Sequence, residues 1–193
     1  MKNIKPKDIL IPTVTLFLIC LIVSALLAGT NALTKEPIAE NQLKKSQQAM
    51  QSVCPDAVSF EGAKGLEIEV YKALNESGEV IGCAIPVSAK GYGGDVSVMV
   101  GISNENGGKV TGVEVLSHSE TPGLGANAAN DSFTDGFKQD ITSSGFSVVK
   151  DGTGGADGKI DAITGATITS NAVKSAVNEA IEIYKSLGFG GEQ

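Results

Sequence analysis

Tryptophan is absent from this 193-residue chain, aromatic residues make up only 5% of it, and there is a single histidine, His118. So thin an aromatic complement provides no stacking platform for bases. The formal charge of -7 and a pI near 4.7 remove the basic patch that a nucleic-acid partner calls for. One histidine, with no serine and aspartate in a recognisable motif around it, excludes a hydrolytic triad, and no catalytic residue is assigned. The three cysteines, Cys20, Cys54 and Cys83, lie too far apart to suggest a metal site. Asp151, Asp157 and Asp161 flank a glycine-rich stretch but lack the acidic spacing and terminal glutamate of a calcium loop, so the stretch reads as a surface turn.

Charge is also missing from residues 9–33, and here the absence is informative. The core from Val14 to Ala28 is almost wholly apolar. At about 1.5 Å per helical residue, the run spans a hydrocarbon layer of roughly 30 Å. Lys2, Lys5 and Lys7 precede it, so the positive-inside rule puts residues 1–8 in the cytoplasm and the rest of the chain on the other side. A cleaved signal peptide ending near Thr30-Asn31-Ala32 is the competing reading. The run exceeds the usual apolar core of such a peptide, which favours an uncleaved anchor. Cys20 reads as a lipid-facing small hydrophobe and not as a lipoprotein acceptor, because bulky Ile19 precedes it.

About 160 residues follow, enough for one core. Residues 34–58 read as linker and helix, with Pro37 suited to a first turn. The alternation Leu66-Glu67-Ile68-Glu69-Val70 predicts a half-buried strand, and Asn75-Glu76-Ser77-Gly78 a turn into a strand over Val80–Val87. Val96–Val100 and Val110–Leu116 form an expected hairpin around Asn104–Gly108. A short helix is expected over Asn130–Ile141, and short strands over Phe146–Lys150 and Lys159–Ile163. Strands grouped together with flanking helices indicate an α+β domain. Cys54 and Cys83 are the two cysteines beyond the anchor, and sequence alone leaves open whether they pair.

The most informative stretch is Asp161-Ala162-Ile163-Thr164-Gly165-Ala166-Thr167. After it, Ala172, Val173, Ala176, Val177, Ala180, Ile181, Tyr184 and Leu187 recur at helical spacing, with Gly188 as a stop. Thr169, Ser170 and Asn171 are all candidate N-caps, which places Thr167 just ahead of a helix N-terminus, where free N–H groups and the helix dipole favour a phosphate. Gly165 and Ala166 leave the Thr167 hydroxyl approachable. Taken alone, the seven residues also read as a plain turn plus cap. Gly91, Gly93 and Gly94 make no dinucleotide fingerprint, since a β-type segment follows them, and Glu120-Thr121-Pro122-Gly123 by itself is a bend.

The pattern Asp-x-x-Thr-Gly-Ala-Thr resembles the flavinylation motif of FMN-binding domains in the Rnf and Nqr redox-driven ion pumps. His118-Ser119-Glu120-Thr121-Pro122-Gly123-Leu124-Gly125 is similar to the loop that lines the flavin in those domains, and Lys90-Gly91-Tyr92-Gly93-Gly94 occurs where the family would place it. The likeness covers nearly the whole chain and is strongest to the G subunit of Rnf complexes. The homologous C subunit of the sodium-pumping NADH:quinone reductase, usually a longer chain, comes second. The resemblance implies an α+β FMN-binding domain over residues 59–193, outside the cytoplasm. It implies FMN esterified through its phosphate to Thr167 by a separate flavin transferase, with Asp161, Thr164, Gly165 and Ala166 shaping the attachment site. Glu120, Thr121, Leu124 and Gly125 would line the flavin, Leu124 packing on the rings. It further implies an electron-transfer subunit, working with the membrane, iron–sulfur and flavin subunits of a complex that couples ferredoxin and NAD chemistry to Na⁺ or H⁺ movement. A flavinylated carrier for another respiratory or reductase system, or a non-redox anchored binding domain, are the alternatives.

Overall fold

The computed structural model describes residues 6–63 and 69–188. Two compact units divide the chain, Met1–Lys44 and Lys45–Gln193. The described residues of the first are helical. Helix α1 (Pro6–Val53) is 48 residues long, and from Ile9 onward it is long and apolar enough to cross a membrane, with none of the apolar window buried. Thr13, Thr15 and Thr30 return their hydroxyls to the carbonyls four residues back, at 2.8, 2.9 and 2.9 Å, so none of these hydroxyls needs a water partner. Pro37, expected at the first turn of a separate helix, lies inside α1. A single proline removes one ladder bond, and no glycine follows it before Val53, so the helix carries through.

The second unit is built on an antiparallel meander in the order β1 (Ser59–Gly62), β2 (Tyr71–Leu74), β3 (Val80–Lys90), β4 (Asp95–Ser103) and β5 (Lys109–Ser117). The strand expected at Leu66–Val70 falls mostly outside the described residues, and Val70, within them, is buried. β3 and β4 pair without a break from Gly82↔Ser103 to Lys90↔Asp95, so the Lys90–Gly94 motif is the tip of this hairpin, closed by Gly91 N–H to Gly94 O at 2.8 Å. β5 follows the expected turn.

Alternation sends the two faces of the sheet to different cores. Cys83, Ile85 and Val87, with Val96, Val98, Val100 and Ile102, meet helix α3 (Thr167–Ser186) through Val173, Ala176, Val177, Ala180, Ile181 and Tyr184. Ala73, Ala84 and Met99 on the opposite face meet Ala49, Met50 and Val53 from the last turns of α1. Gly101 and Gly112 are directly paired across β4 and β5, and a side chain on either would strike Val53, so this slot of two glycines admits the helix end. Cys54 and Cys83 are both free and buried and belong to the cores on opposite faces, with Cys54 Sγ 3.6 Å from the Cys83 carbonyl oxygen. No disulfide links them.

The segment expected as one helix from Asn130 to Ile141 is shorter. It forms α2 (Asp131–Thr134) and a 3₁₀ turn over Asp135–Phe137. Beyond Gly136 the chain is drawn to the edge of β5, where Val110 N–H bonds the Gln139 carbonyl and Ile141 N–H bonds the Gly108 carbonyl, each at 3.0 Å. These edge bonds and edge-to-face packing of Phe137 on Phe133 and Phe146 replace the helical continuation. β6 (Ser147–Val149) and β7 (Lys159–Asp161) appear where short strands were expected and pair parallel to each other.

Candidate functional site

Helix α3 begins one turn earlier than its cap residues suggest. Ala166 is the N-cap, no side chain caps the end, and Thr167 is the first helical residue. Thr169, Ser170 and Asn171, the expected caps, lie within the first turns and have other partners. Ser170 Oγ donates to the Ala166 carbonyl and accepts from Ile163 N–H, both at 3.0 Å, tying the Ile163–Ala166 turn to the helix. Asn171 donates to the Thr167 carbonyl at 2.9 Å. Gly165 sits in that turn at φ +76°, a conformation that disfavours any residue with a Cβ.

Thr169 reaches further. Its hydroxyl donates to Glu120 Oε2 at 2.7 Å, while Glu120 Oε1 accepts the N–H groups of Tyr92 and Gly93 at 2.8 and 3.0 Å. Glu120 is only 6% exposed. Burial pushes its pKa up, but the hydrogen bonds from Thr169, Gly93 and Tyr92, with a smaller contribution from His118, outweigh burial and hold the carboxyl below its ordinary value. The glycines of these motifs now have a cause. A side chain on Gly91 or Gly125 would strike the Glu120 carboxylate, and one on Gly93 would strike the Ser119 carbonyl.

These contacts assemble the wall of a cleft of ≈ 520 Å³. The hairpin tip supplies Tyr92. The loop after β5 supplies Glu120, Thr121, Leu124 and Gly125, and the start of α3 supplies Gly165, Ala166, Thr167, Ile168 and Thr169. Tyr92, Leu124 and Ile168 are 73%, 45% and 56% exposed, a high exposure for apolar groups around one opening. Thr167 and Ile168 also line a second cleft of ≈ 400 Å³ with Lys90, Asn171 and Ser175.

Of the residues singled out in the sequence, Glu120, Thr121, Leu124, Gly125, Gly165, Ala166 and Thr167 come together here. Asp161 and Thr164 are not part of the cleft wall. Asp161 instead accepts Gly154 N–H through Oδ1 at 3.0 Å, which orders the glycine-rich loop beside it. Tyr92, Ile168 and Thr169 were not assigned to the site from sequence. Ile168 carried a signal, being a large apolar side chain next to Thr167 and out of phase with the buried stripe of α3.

The model of the FMN-binding domain matches residues 91–182, and that of the RnfG N-terminal region matches residues 1–53. The G subunit of the Na(+)-translocating ferredoxin:NAD(+) oxidoreductase complex of Acetobacterium woodii is 37% identical over 193 residues, covering 89% of each chain. The chain belongs to the RnfG family. The G subunit of the proton-translocating complex of Clostridium ljungdahlii is 36% identical over 88% of each chain, and that of Methanosarcina acetivorans 34% over 91% of this chain and 94% of its own. Among solved structures, the C subunit of the Na(+)-translocating NADH-quinone reductase of Parabacteroides distasonis superposes with a TM-score of 0.53 at 27% identity, over 65% of this chain and 64% of that one. The NqrC of Shewanella oneidensis shares the fold at a TM-score of 0.51 and 21% identity, over 70% of each chain. The α+β domain with its antiparallel sheet is therefore common to this RnfG chain and its Nqr counterparts.

The FMN-binding match spans the hairpin tip, the Glu120 loop and most of α3, all three contributors to the cleft. The residues present fit the group. The volume lies within the roughly 300–1,000 Å³ of ligand pockets. A hydroxyl at a helix N-terminus suits a phosphate, and exposed apolar groups suit a ring system.

Proposed function

We propose that the chain is a membrane-anchored electron-transfer subunit of an ion-translocating ferredoxin:NAD⁺ oxidoreductase complex, carrying FMN as a phosphoester on Thr167. The observation that carries the reading is the position of Thr167, the first residue of α3, on the wall of the cleft within the FMN-binding-domain match. FMN, when attached, supplies the redox chemistry. The protein supplies position and environment. First-turn N–H groups of α3 would hold the phosphate, and Lys90, which lines the second cleft with Thr167, would add positive charge. Tyr92, Leu124 and Ile168 cover ring surface and exclude water, and Thr121 offers a hydroxyl to a polar edge. Asp161 and Thr164 act on the shape of the attachment turn from outside the cleft. Attachment is the work of a flavin transferase, for which this chain is the substrate. Residues 1–8 face the cytoplasm, and residues 59–193 lie across the membrane with the flavin.

The test is mass spectrometry of the chain purified from its native membrane, with peptide mapping of any flavin adduct. FMN phosphate on Thr167 is expected, and Thr167→Val is expected to lose all covalent flavin with stability changed by no more than about 0.5 kcal/mol, as for a surface substitution. An adduct on Thr164, Thr169 or Ser170, or no adduct at all, refutes the assignment. Co-expression with and without a flavin transferase separates substrate from self-modifying protein, since attachment by the purified chain unaided would remove the transferase from the account.

A further inference from the structure

The cleft that Thr167 lines also has a buried carboxyl group in its wall, Glu120, whose two oxygens are taken up by protein donors. We infer that Glu120 is a positioning residue that also tunes the flavin: its carboxylate clamps the hairpin tip to the first turn of α3 and holds a negative charge at the cleft wall that lowers the reduction potential of FMN on Thr167. This rests on the placement of FMN proposed above.

The geometry asks for a carboxylate. Three donors converge on Glu120, two of them backbone N–H groups that cannot accept in return, and they come from parts of the chain 28, 27 and 49 residues away. The side chain therefore bonds the hairpin tip to the first turn of α3 through a single carboxylate. Gly91 and Gly125 close over the carboxylate so tightly that neither tolerates a Cβ, which prevents the group from swinging out to water. Among the described residues no lysine or arginine forms an ion pair with it, and the salt bridges Lys44–Glu40 and Lys138–Asp135 are exposed and elsewhere. His118 Nδ1 accepts the Glu120 N–H at 3.2 Å. Hydrogen bonds spread the charge over the clamp without removing it.

An electron pair taken up by the flavin with one proton leaves the ring system one unit more negative. A fixed carboxylate at the wall of the same cleft, shielded from water, opposes that change, and the effect is stronger there than it would be in bulk solvent. Reduction is disfavoured, and the potential falls. A merely structural clamp would affect folding and leave the potential alone.

The experiment uses the full-length flavinylated chain in detergent, comparing wild type, Glu120→Gln and Glu120→Ala by redox titration at matched flavin occupancy and by amide hydrogen exchange. Glutamine retains an oxygen for the Tyr92 and Gly93 amides and can donate to the Thr169 oxygen, so Glu120→Gln removes the charge and keeps the clamp. It is expected to shift the potential to more positive values with the two amides still protected. Glu120→Ala is expected to speed exchange at Tyr92 and Gly93 by about tenfold or more, the loss appropriate to a charge-assisted bond. Thr169→Val, which keeps the charge but removes one donor, should move the potential the other way, and it serves as the decisive variant if Glu120→Gln does not fold. An unmoved potential in Glu120→Gln, an upward shift in Thr169→Val, or wild-type exchange in Glu120→Ala overturns the inference. Wild-type chain without covalent flavin would instead overturn the attachment on Thr167, and the exchange measurement would still decide the clamp on the flavin-free chain.

Discussion

Replacing Gly125 with alanine should damage the site more than its size implies. Gly125 opens the 3₁₀ turn Gly125–Ala129, is buried, and has no positive φ, so alanine meets no backbone strain there. The added Cβ meets Glu120 Oε2 directly, Thr169 Oγ1 at 2.7 Å and Glu120 Cβ at 2.9 Å. The carboxylate cannot yield freely, since its other oxygen is held by two backbone amides. Either the Glu120–Thr169 bond breaks or the loop lifts from α3. Overpacking costs about 1–3 kcal/mol, and a lost bond to a charged group about 1.5–3 kcal/mol. The two overlap, giving roughly 3 kcal/mol. At about 2–4 °C per kcal/mol for a domain of this size, Tm falls by roughly 6–12 °C. Gly123→Ala is the control: at φ +78° with nothing within 4 Å of its Cβ, it pays only for left-handed backbone, about 1 kcal/mol, or a few degrees. Thermal unfolding of the full chain followed by tyrosine fluorescence measures both, because Tyr184 is fully buried. A Gly125→Ala chain no less stable than Gly123→Ala would refute the steric argument and the packing assigned to Glu120.

Three further outcomes are expected. The folded chain holds Glu120 below the ordinary value of 4.5, so the stability it contributes is complete above pH 4.5 and is lost as pH falls through the folded value; the gap in urea midpoint between wild type and Glu120→Gln should narrow in that acid range, and a constant gap would contradict it. Burial pushes Cys54 up to about 11 and Cys83 up to about 12, so both should resist a maleimide at neutral pH in the native chain and react in denaturant, and rapid native labelling of either would contradict their burial. Leu124→Asp, at a half-exposed position on the cleft wall, should leave flavin attachment intact and lower the potential through repulsion and added water, and an unchanged potential and spectrum would place Leu124 away from the ring.

What could be read from sequence was whatever local periodicity dictates. Alternating apolar residues marked β3, β4 and β5, and the spacing from Ala172 to Leu187 marked the buried stripe of α3, since side-chain direction follows directly from backbone repeat. The uncharged run of residues 9–33 announced a helix fit for a bilayer. Local pattern misled where a residue's partner lies far along the chain. Thr169, Ser170 and Asn171 have the chemistry of N-caps, and nothing nearby showed that Thr169 would be taken by Glu120, 49 residues away, leaving the helix to begin uncapped at Thr167. Asn130–Ile141 has helical composition, yet its second half is claimed by the edge of β5.

The motifs themselves were visible in the sequence as three separate glycine-bearing stretches, and family resemblance linked them to a flavin. Only the tertiary structure showed why they occur together. One buried carboxylate, carried by the middle stretch, accepts bonds from the hairpin tip and from the helix that the third stretch opens, and Gly91 and Gly125 are small because that carboxylate occupies the space beside them. The chemistry available at Thr167 is a property of residue type and was legible in sequence. Whether its hydroxyl meets a cleft, with Tyr92 and Ile168 at the rim and Asp161 turned away to its own loop, depends on close packing between distant segments, which no local pattern encodes.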